Sequence, residues 1–281
     1  MTTFNTYETA WCPGCGNFAI LDSLKTALEE LGKEPHEVLM AAGIGQAAKT
    51  PQYISANSFC GLHGRSLPAA IAAKIANKDL TVIVNTGDGD SYGEGGNHFI
   101  HNIRRNVDIT HFVHDNQIYG LTKGQASPTT AVGHVTAIQT DGNNNQPINP
   151  LLLAIVSGAG FVARGFSGDK EHLVALMKEA INYPGYALVD ILQPCPSFNK
   201  VNTFKYYKER VYHLEEDYDP YNKMVAMERT METTDSIPIG ILYKEDKANF
   251  HEKNEVLSAD IPLLDIETKA DVVNKLIQEF I

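Results

Sequence analysis

Between Cys12 and Leu192 the chain alternates segments of two different hydrophobic periods, and that alternation leaves few architectures open to it. Ile20, Leu21, Leu24, Ala27, Leu28 and Leu31 recur at helical spacing, and Gly32 follows as a stop signal. Val38 to Ala42 is a short buried-strand run, closed by Gly43-Ile44-Gly45. Leu67 to Ala76 reads as a helix of small residues, Leu80 to Asn85 as a strand, and Gly93 to Arg105 has the length of a helix. Ile109 to Val113 is strand-like, Pro150 to Ser157 and Lys170 to Asn182 predict two more helices, and Tyr186 to Leu192 a final strand. Strands alternating with helices predict an α/β fold, a mostly parallel sheet with helices on both faces. Ligands of such sheets bind at the carboxyl ends of the strands, which is where the glycine-rich segments fall. The long polar stretch from Gly120 to Asn149 has the length of a functional loop. After Gln193 the texture changes: Phe198 to Arg229 is aromatic and charged, and Asp235 to Ile281 is acidic. This predicts a domain over residues 1–197 and a C-terminal extension over 198–281, packing on the domain or on a partner subunit.

Composition excludes several classes of function. The 281 residues are 43% hydrophobic and 20% charged, enough for an ordinary core. No stretch approaches the roughly 18 uninterrupted apolar residues of a membrane span. Met1-Thr2-Thr3-Phe4-Asn5-Thr6-Tyr7-Glu8 lacks the basic segment and apolar run of a secretory signal. With 23 Lys and Arg against 34 Asp and Glu, the net charge of −11 opposes both nucleic acid and anionic membrane. Four cysteines are too few for a disulfide scaffold. The expected compartment is a reducing cytoplasm, where cysteine spacing more often signals metal or redox chemistry.

The most specific local signal is Gly87-Asp88-Gly89-Asp90, directly after one predicted strand. Twenty-six residues lie between Gly89 and Asn116, and Asp115-Asn116-Gln117-Ile118 closely follows the next predicted strand. Two neighbouring strands then deliver a carboxylate and an amide oxygen to one point at the sheet edge. Mg²⁺ takes such a half-shell, with phosphate oxygens and water completing its octahedron. The glycines let backbone N–H groups come close to a diphosphate. A dinucleotide fingerprint fails here, because the third glycine and the acidic ribose partner are missing.

Trp11-Cys12-Pro13-Gly14-Cys15-Gly16 precedes the first helix, and Pro194-Cys195-Pro196 follows the last strand. The Cys-x-x-Cys pair has several readings: a thioredoxin-type disulfide, for which too little chain precedes the motif to form a strand, a structural zinc site, or an iron–sulfur cluster, which tolerates scattered ligands. Cys195 is held rigid between prolines, as suits a ligand, with a plain buried cysteine as the alternative. His98, His101, His111 and His114 cluster in sequence, and packing or polar satisfaction explains them better than metal binding.

The Gly-Asp-Gly and Asn pair resembles the thiamine diphosphate-binding signature. Taken with Gly61-Leu62-His63-Gly64-Arg65, the run from Tyr119 to Thr129 containing Gly120-Leu121-Thr122-Lys123-Gly124-Gln125, Leu192-Gln193-Pro194-Cys195-Pro196 and the Cys-x-x-Cys block, it resembles the β subunit of the 2-oxoacid:ferredoxin oxidoreductases over roughly residues 9 to 210. The resemblance implies a thiamine diphosphate site with Mg²⁺ on Asp88, the Asn116 side chain and the Ile118 carbonyl. It implies a cofactor lining of Ile44, Gly45, Gln46, Ala47, His63, Gly89, Asp90, Gly120 and Leu121. Arg65 is either a cofactor-side cation or a structural one. Lys49 and Lys123 are the candidate partners of a substrate carboxylate.

The same resemblance implies a [4Fe-4S] cluster on Cys12, Cys15 and Cys195. Family members commonly carry a cysteine where Gln46 stands, so the fourth ligand is missing from its place. Cys60 is either the replacement or a small core residue, and without a replacing cysteine the expectation is a three-cysteine cluster with another ligand, or a labile one. The implied reaction converts a 2-oxoacid and coenzyme A to an acyl-CoA and CO₂, with electrons leaving for ferredoxin. The alternative is a non-oxidative thiamine diphosphate-dependent decarboxylase or synthase subunit, or a scaffold subunit without cofactor. The glutamate that activates the aminopyrimidine ring is expected from a partner α subunit, in an αβ or (αβ)₂ assembly. Lys200, Lys205, Lys208 and Arg210 are the candidate local patch for an acidic ferredoxin on a chain that is itself acidic.

Overall fold

The computed structural model describes residues 4–281 apart from 259 and 268; residues 1–3, on which the N-terminal reading begins, lie outside the described residues. In chain order the elements are α1 (Asn17–Glu30), β1 (Val38–Ala42), β2 (Asn57–Cys60), α2 (Ser66–Ala76), β3 (Thr81–Gly87), α3 (Gly96–Arg105), β4 (Ile109–Asp115), α4 (Pro150–Val156), β5 (Phe161–Phe166), α5 (Lys170–Asn182) and β6 (Tyr186–Leu192). They are followed by α6 (Phe204–Lys208), β7 (Val211–His213), α7 (Lys223–Thr230), β8 (Ile237–Lys244) and α8 (Ala270–Gln278). The strands form one sheet in the order β2-β1-β3-β4-β6-β5-β8-β7. All pairs are parallel except β5 with β8. The mostly parallel α/β architecture expected from the alternation is therefore the one observed.

Period-two alternation sends successive strand residues to opposite faces, and each face has its own core. Ile83, Phe112 and Val189 pack with Ile20, Leu24 and Leu28 of α1 and with Leu173 and Met177 of α5. Their neighbours Val82, Val84, Val113 and Leu188 pack on the other side with Leu67 of α2, Phe99 and Ile103 of α3, and Leu151 and Ile155 of α4. Strands β1 and β6 run as nearly continuous apolar sequences because both of their faces are covered, and β3 and β4 are buried on both faces while carrying polar residues such as Asn85, His111 and His114.

Register brings the functional segments together. Gly87 of β3 pairs with His114 of β4, and Asp115 pairs with Leu192 of β6. The residues that follow, Asp88, Asn116 and Gln193, thus emerge side by side at the carboxyl edge. Beyond residue 197 the chain does not form a separate body: β8 adds to β5 antiparallel and β7 adds to β8 parallel, so the sheet itself is extended. Among the described residues no helix is long and apolar enough to cross a membrane.

Candidate functional site

The acidic half of the site starts where β3 gives way to a single π-helical turn, Gly89–Glu94, capped by Asp88. Asp88 is buried, and its Oδ2 accepts hydrogen bonds from Ser127 Oγ at 2.5 Å and Thr129 Oγ1 at 2.7 Å. Thr129 Oγ1 also lies 2.8 Å from Asp115 Oδ1. A hydroxyl has one proton to donate, so one of these two carboxyl groups must carry a proton of its own when both contacts are made. Burial pushes Asp88 up to about 6. Asp115 is raised well above the carboxylate range by burial and then by Asp190 and Asp88. Asp190 is also raised to about 6 by burial, although Tyr92 Oη donates to it at 2.7 Å and Arg164 favours its charged form. Three buried carboxyl groups against one buried guanidinium is an electrostatic deficit that a hard divalent cation relieves.

The segment that follows β4 is pre-shaped. Asn116 Oδ1 accepts from Ile118 N at 3.0 Å, closing a local turn, and Asn116 Nδ2 donates to Gln193 Oε1 at 3.0 Å. The Ile118 carbonyl accepts no hydrogen bond among the described residues. Asp88, Asn116 and Ile118 are hard oxygen donors at adjoining strand ends, the donor chemistry that Mg²⁺ requires.

Asp90 acts as a bracket. Its Oδ1 accepts from Ile44 N at 3.1 Å and Gly64 N at 2.8 Å, while its Oδ2 is buried without a partner among the described residues. A Cβ at Gly43 would stand 2.2 Å from that Oδ2, so only glycine fits the approach of the β1 turn to Asp90. His63 Nε2 lies 3.6 Å from Asp90 Oδ1 and 3.4 Å from Glu94 Oε2, and Tyr119 Oη donates to Glu94 Oε2 at 3.1 Å. Gly89 lies under Tyr119, whose ring a Cβ would meet at 2.1 Å. The segments holding Ile44 to Ala47, His63, Gly89 and Asp90, and Gly120 and Leu121 therefore converge on one edge. Ile44 and Leu121 are exposed there, and Ala47 is buried. Lys49 is half-buried in the 3₁₀ segment after the β1 turn, and Lys123 is exposed in a turn at φ +81°.

Arg65 is exposed and hydrogen bonded to His98. His111 and His114 are fully buried and lowered to about 3 by that burial. His111 lies between Thr86 and Tyr186, and His114 between Asn17 and Asn85, so both are polar groups satisfied inside β4.

The sulfur half lies alongside. Cys12, Cys15 and Cys195 line one small cavity together with Trp11, Gln46 and Gln193, and all four cysteines of the chain are free thiols. Cys15 N donates to Cys12 O at 3.1 Å, with Gly14 at φ +77° completing the turn. Burial pushes the Cys15 thiol up to about 11, and neighbouring Cys195 and Cys12 add to it. Gln193 Nε2 donates to Cys15 Sγ at 3.4 Å. Cys60 is not brought to this cavity: it ends the exposed edge strand β2, paired with Ala42. Gln46 is, with its Oε1 buried and without a hydrogen-bond partner among the described residues.

Sequence reasoning missed Asp115, Asp190, Arg164, Ser127, Thr129 and Gln193. A signal existed for two of them, since Asp190 and Arg164 are charges inside apolar runs, where a buried charge needs a reason.

Residues 36–191 match the family model described as thiamine pyrophosphate enzyme, C-terminal TPP binding domain. Residues 195–259 match the C-terminal family model of the pyruvate ferredoxin oxidoreductase beta subunit. The chain is similar to the 2-oxoacid:ferredoxin oxidoreductase subunit beta of Saccharolobus solfataricus, 47% identical over 256 residues that cover 86% of this chain and 84% of the relative. It is also similar to subunit beta of 2-oxoacid:ferredoxin oxidoreductase 2 from Aeropyrum pernix, 44% identical over 257 residues covering 87% and 83%. Among solved structures it resembles the 2-oxoglutarate:ferredoxin oxidoreductase from Magnetococcus marinus with 2-oxoglutarate, coenzyme A and succinyl-CoA bound. That match has a TM-score of 0.90 and 35% identity, and covers 98% of this chain and 94% of the other. The resemblance carried by the motifs therefore holds along the chain, which belongs to the thiamine pyrophosphate enzymes as a β subunit of the 2-oxoacid:ferredoxin oxidoreductases.

Proposed function

We propose that this β chain, joined to its α partner, catalyses the thiamine diphosphate-dependent oxidative decarboxylation of a 2-oxoacid to an acyl-CoA and CO₂, a reaction reversible in principle, with electrons passing through a [4Fe-4S] cluster to ferredoxin. The observation that carries the reading is the adjacency of two ligand sets, hard oxygens at Asp88 and Asn116 and thiols at Cys12, Cys15 and Cys195, joined through the two ends of one Gln193 amide. Coenzyme A enters the reading because the Magnetococcus marinus structure holds 2-oxoglutarate, coenzyme A and succinyl-CoA.

In this reading Asp88, Asn116 and the Ile118 carbonyl hold Mg²⁺, which neutralises the buried carboxyl cluster and fixes the diphosphate. Gly89 and Gly120 allow close approach of backbone N–H groups. Asp90 positions the Ile44 and Gly64 N–H groups rather than meeting the anionic diphosphate itself. Ile44, Gly45, Gln46, Ala47, His63 and Leu121 form the remaining wall, and Lys49 and Lys123 are the cations available to a substrate carboxylate. Thiamine diphosphate, when bound, supplies the carbanion chemistry at the keto carbon. Cys12, Cys15 and Cys195 hold the cluster beside the cofactor, a short exit for electrons in a reducing cytoplasm.

The aminopyrimidine-activating glutamate is supplied by the α subunit in this scheme. For ferredoxin, Lys200, Lys205, Lys208 and Arg210 remain the candidate patch, although Lys205 and Arg210 both pair with Glu209, at 3.8 and 3.6 Å. The test is iron, acid-labile sulfide, Mg²⁺ and thiamine diphosphate content of the α/β complex purified anaerobically, read with visible and EPR spectra. About four irons per β chain, after subtraction of the partner's, is the expected result. Bound thiamine diphosphate without iron in this chain would overturn the redox part and leave a non-oxidative 2-oxoacid decarboxylase.

A further inference from the structure

We infer that Gln46 faces the fourth iron corner of the cluster, which is held by three thiolates and has an amide oxygen in place of the fourth. The inference rests on the cluster reading above and adds an asymmetry to it. Three thiols and one buried, unpartnered amide oxygen line the same cavity. A buried polar atom without a partner marks a missing partner in the site, and an iron corner supplies one.

Gln46 is anchored where it stands. Its backbone carbonyl accepts the Trp11 indole N–H at 2.8 Å, and Trp11 directly precedes Cys12. The Trp11 ring is itself wedged edge-on against Phe18 at 5.5 Å and Tyr53 at 4.8 Å. The loop that carries the first two thiols and the turn that carries Gln46 are thus tied into one unit. Cys60, the chain's fourth thiol, stands outside it. It is exposed at the end of β2, where the next residue, Gly61, donates to Ala42 O at 2.8 Å. Bringing its sulfur to the cavity would require unpairing that edge of the sheet.

Two consequences follow from the chemistry. A neutral oxygen in place of a thiolate leaves the cluster one unit less negative, which raises its reduction potential. It also holds its iron less firmly than a thiolate does. Removal of one electron by an outer-sphere oxidant such as ferricyanide takes [4Fe-4S]²⁺ to [4Fe-4S]³⁺. That state releases Fe²⁺ and leaves [3Fe-4S]⁺, so both charge and iron balance.

The experiment uses the anaerobic α/β complex as wild type and as Gln46→Cys, Gln46→Ala and Cys60→Ser variants. Iron, sulfide and EPR are measured before and after one equivalent of ferricyanide. The wild type should fall from about four irons per four sulfides to about three, with the EPR signal of an oxidised three-iron cluster. Gln46→Cys should keep its iron and show a lower potential. Gln46→Ala, which deletes the oxygen, should lose the fourth iron at least as readily as the wild type, and Cys60→Ser should match the wild type. Loss of iron in Cys60→Ser before oxidation, or a wild type that keeps its fourth iron as firmly as Gln46→Cys, would overturn the inference. A wild type with no iron in this chain would instead remove the cluster reading on which it rests.

Discussion

Gln193 accepts a hydrogen bond from Asn116 Nδ2 at 3.0 Å, while its own Nε2 donates to Cys15 Sγ at 3.4 Å and to Pro194 O at 2.7 Å. Every polar atom of this buried amide is committed, so its orientation is fixed. Gly16 secures the fit, because a Cβ there would meet Gln193 Cγ at 2.8 Å. Gln193→Met keeps the volume and removes these bonds. Outer-shell partners of metal ligands are typically worth about 10–100-fold in metal affinity, and Mg²⁺–thiamine diphosphate binding should weaken by about tenfold. The potential of the proposed cluster should fall as well, because a thiolate that loses a hydrogen bond is more electron-rich. Calorimetry and a dye-coupled redox titration read the two effects, and a variant unchanged in both would leave Gln193 as packing.

The pH dependence of the cofactor-free chain follows from opposed groups. Asp88 and Asp190 are raised to about 6 in the folded chain, from 3.8. Their contribution to stability is therefore fully present below about pH 4 and is lost as pH rises through about 6. His111 and His114 are lowered to about 3 from 6.5, so theirs is present above pH 6.5 and lost as pH falls toward 3. Asp115 and Asp90 are raised as well and act in the same direction as Asp88 and Asp190, so across about pH 4 to 6 the carboxyl and histidine trends oppose each other. Asp88→Asn removes one falling contribution, so its stability should change more positively with pH across that window than the wild type's. The difference is on the order of 1 kcal/mol per pH unit. Urea unfolding at pH 4.5 and 6 measures it, and parallel trends would refute the buried-carboxyl account. With Asp88 as the proposed Mg²⁺ ligand, Mg²⁺–thiamine diphosphate should bind the wild type more tightly as pH rises through 6, because the carboxylate is the form that holds the cation.

Strands β1, β3, β4 and β6 were legible because both faces of each are covered, so that apolar neighbours such as Val82, Ile83 and Val84 or Phe112 and Val113 follow one another without alternation. Strand β5 was not, because Arg164 and Gly165 interrupt its run, and β8 was hidden by Pro238 and Gly240, residues that ordinarily argue against a strand. The edge strand β2 is exposed along its whole length and carries no hydrophobic signature. In the site, Asp88 and Asn116 announce themselves by spacing. Gln193 does not, since its partners Asn116 and Cys15 stand 77 and 178 residues away along the chain. Asp115 and Asp190 owe their raised pKa first to burial and then, for Asp115, to Asp190 and Asp88, and for Asp190 to Asp88, an environment set by strand register that no local pattern encodes.

Gly89 tests how tightly the diphosphate turn is packed. Alanine there would place a Cβ 2.1 Å from the Tyr119 ring, which must move and take with it its bond to Glu94 and the adjoining Gly120 and Leu121. Overpacking of this kind costs about 1–3 kcal/mol. Expressed as cofactor affinity, that is about 5–150-fold, at tenfold per 1.4 kcal/mol. Gly96→Ala in α3 is the control, since nothing lies within 4 Å of its Cβ and alanine favours a helix. A Gly89→Ala chain that binds thiamine diphosphate as well as Gly96→Ala would show that the turn is not the cradle.

Arg164 joins the buried acids to the C-terminal strands. It is 5% exposed, and its guanidinium donates to the carbonyls of Glu232 at 3.2 Å and of Pro238 and Thr230 at 3.5 Å. The same group favours the charged form of Asp190. These carbonyls belong to the end of α7, the loop after it and the start of β8, so one side chain fastens that segment to β5. Arg164→Met retains much of the apolar stem and removes the charge and the donors. Breaking a buried charge arrangement by deleting one partner typically costs about 3–5 kcal/mol. The loss should be largest near pH 7, where Asp190 in the wild type is charged, and smaller near pH 5, where it holds its proton. Urea titrations at the two pH values separate this from simple loss of packing, which would give one cost at both.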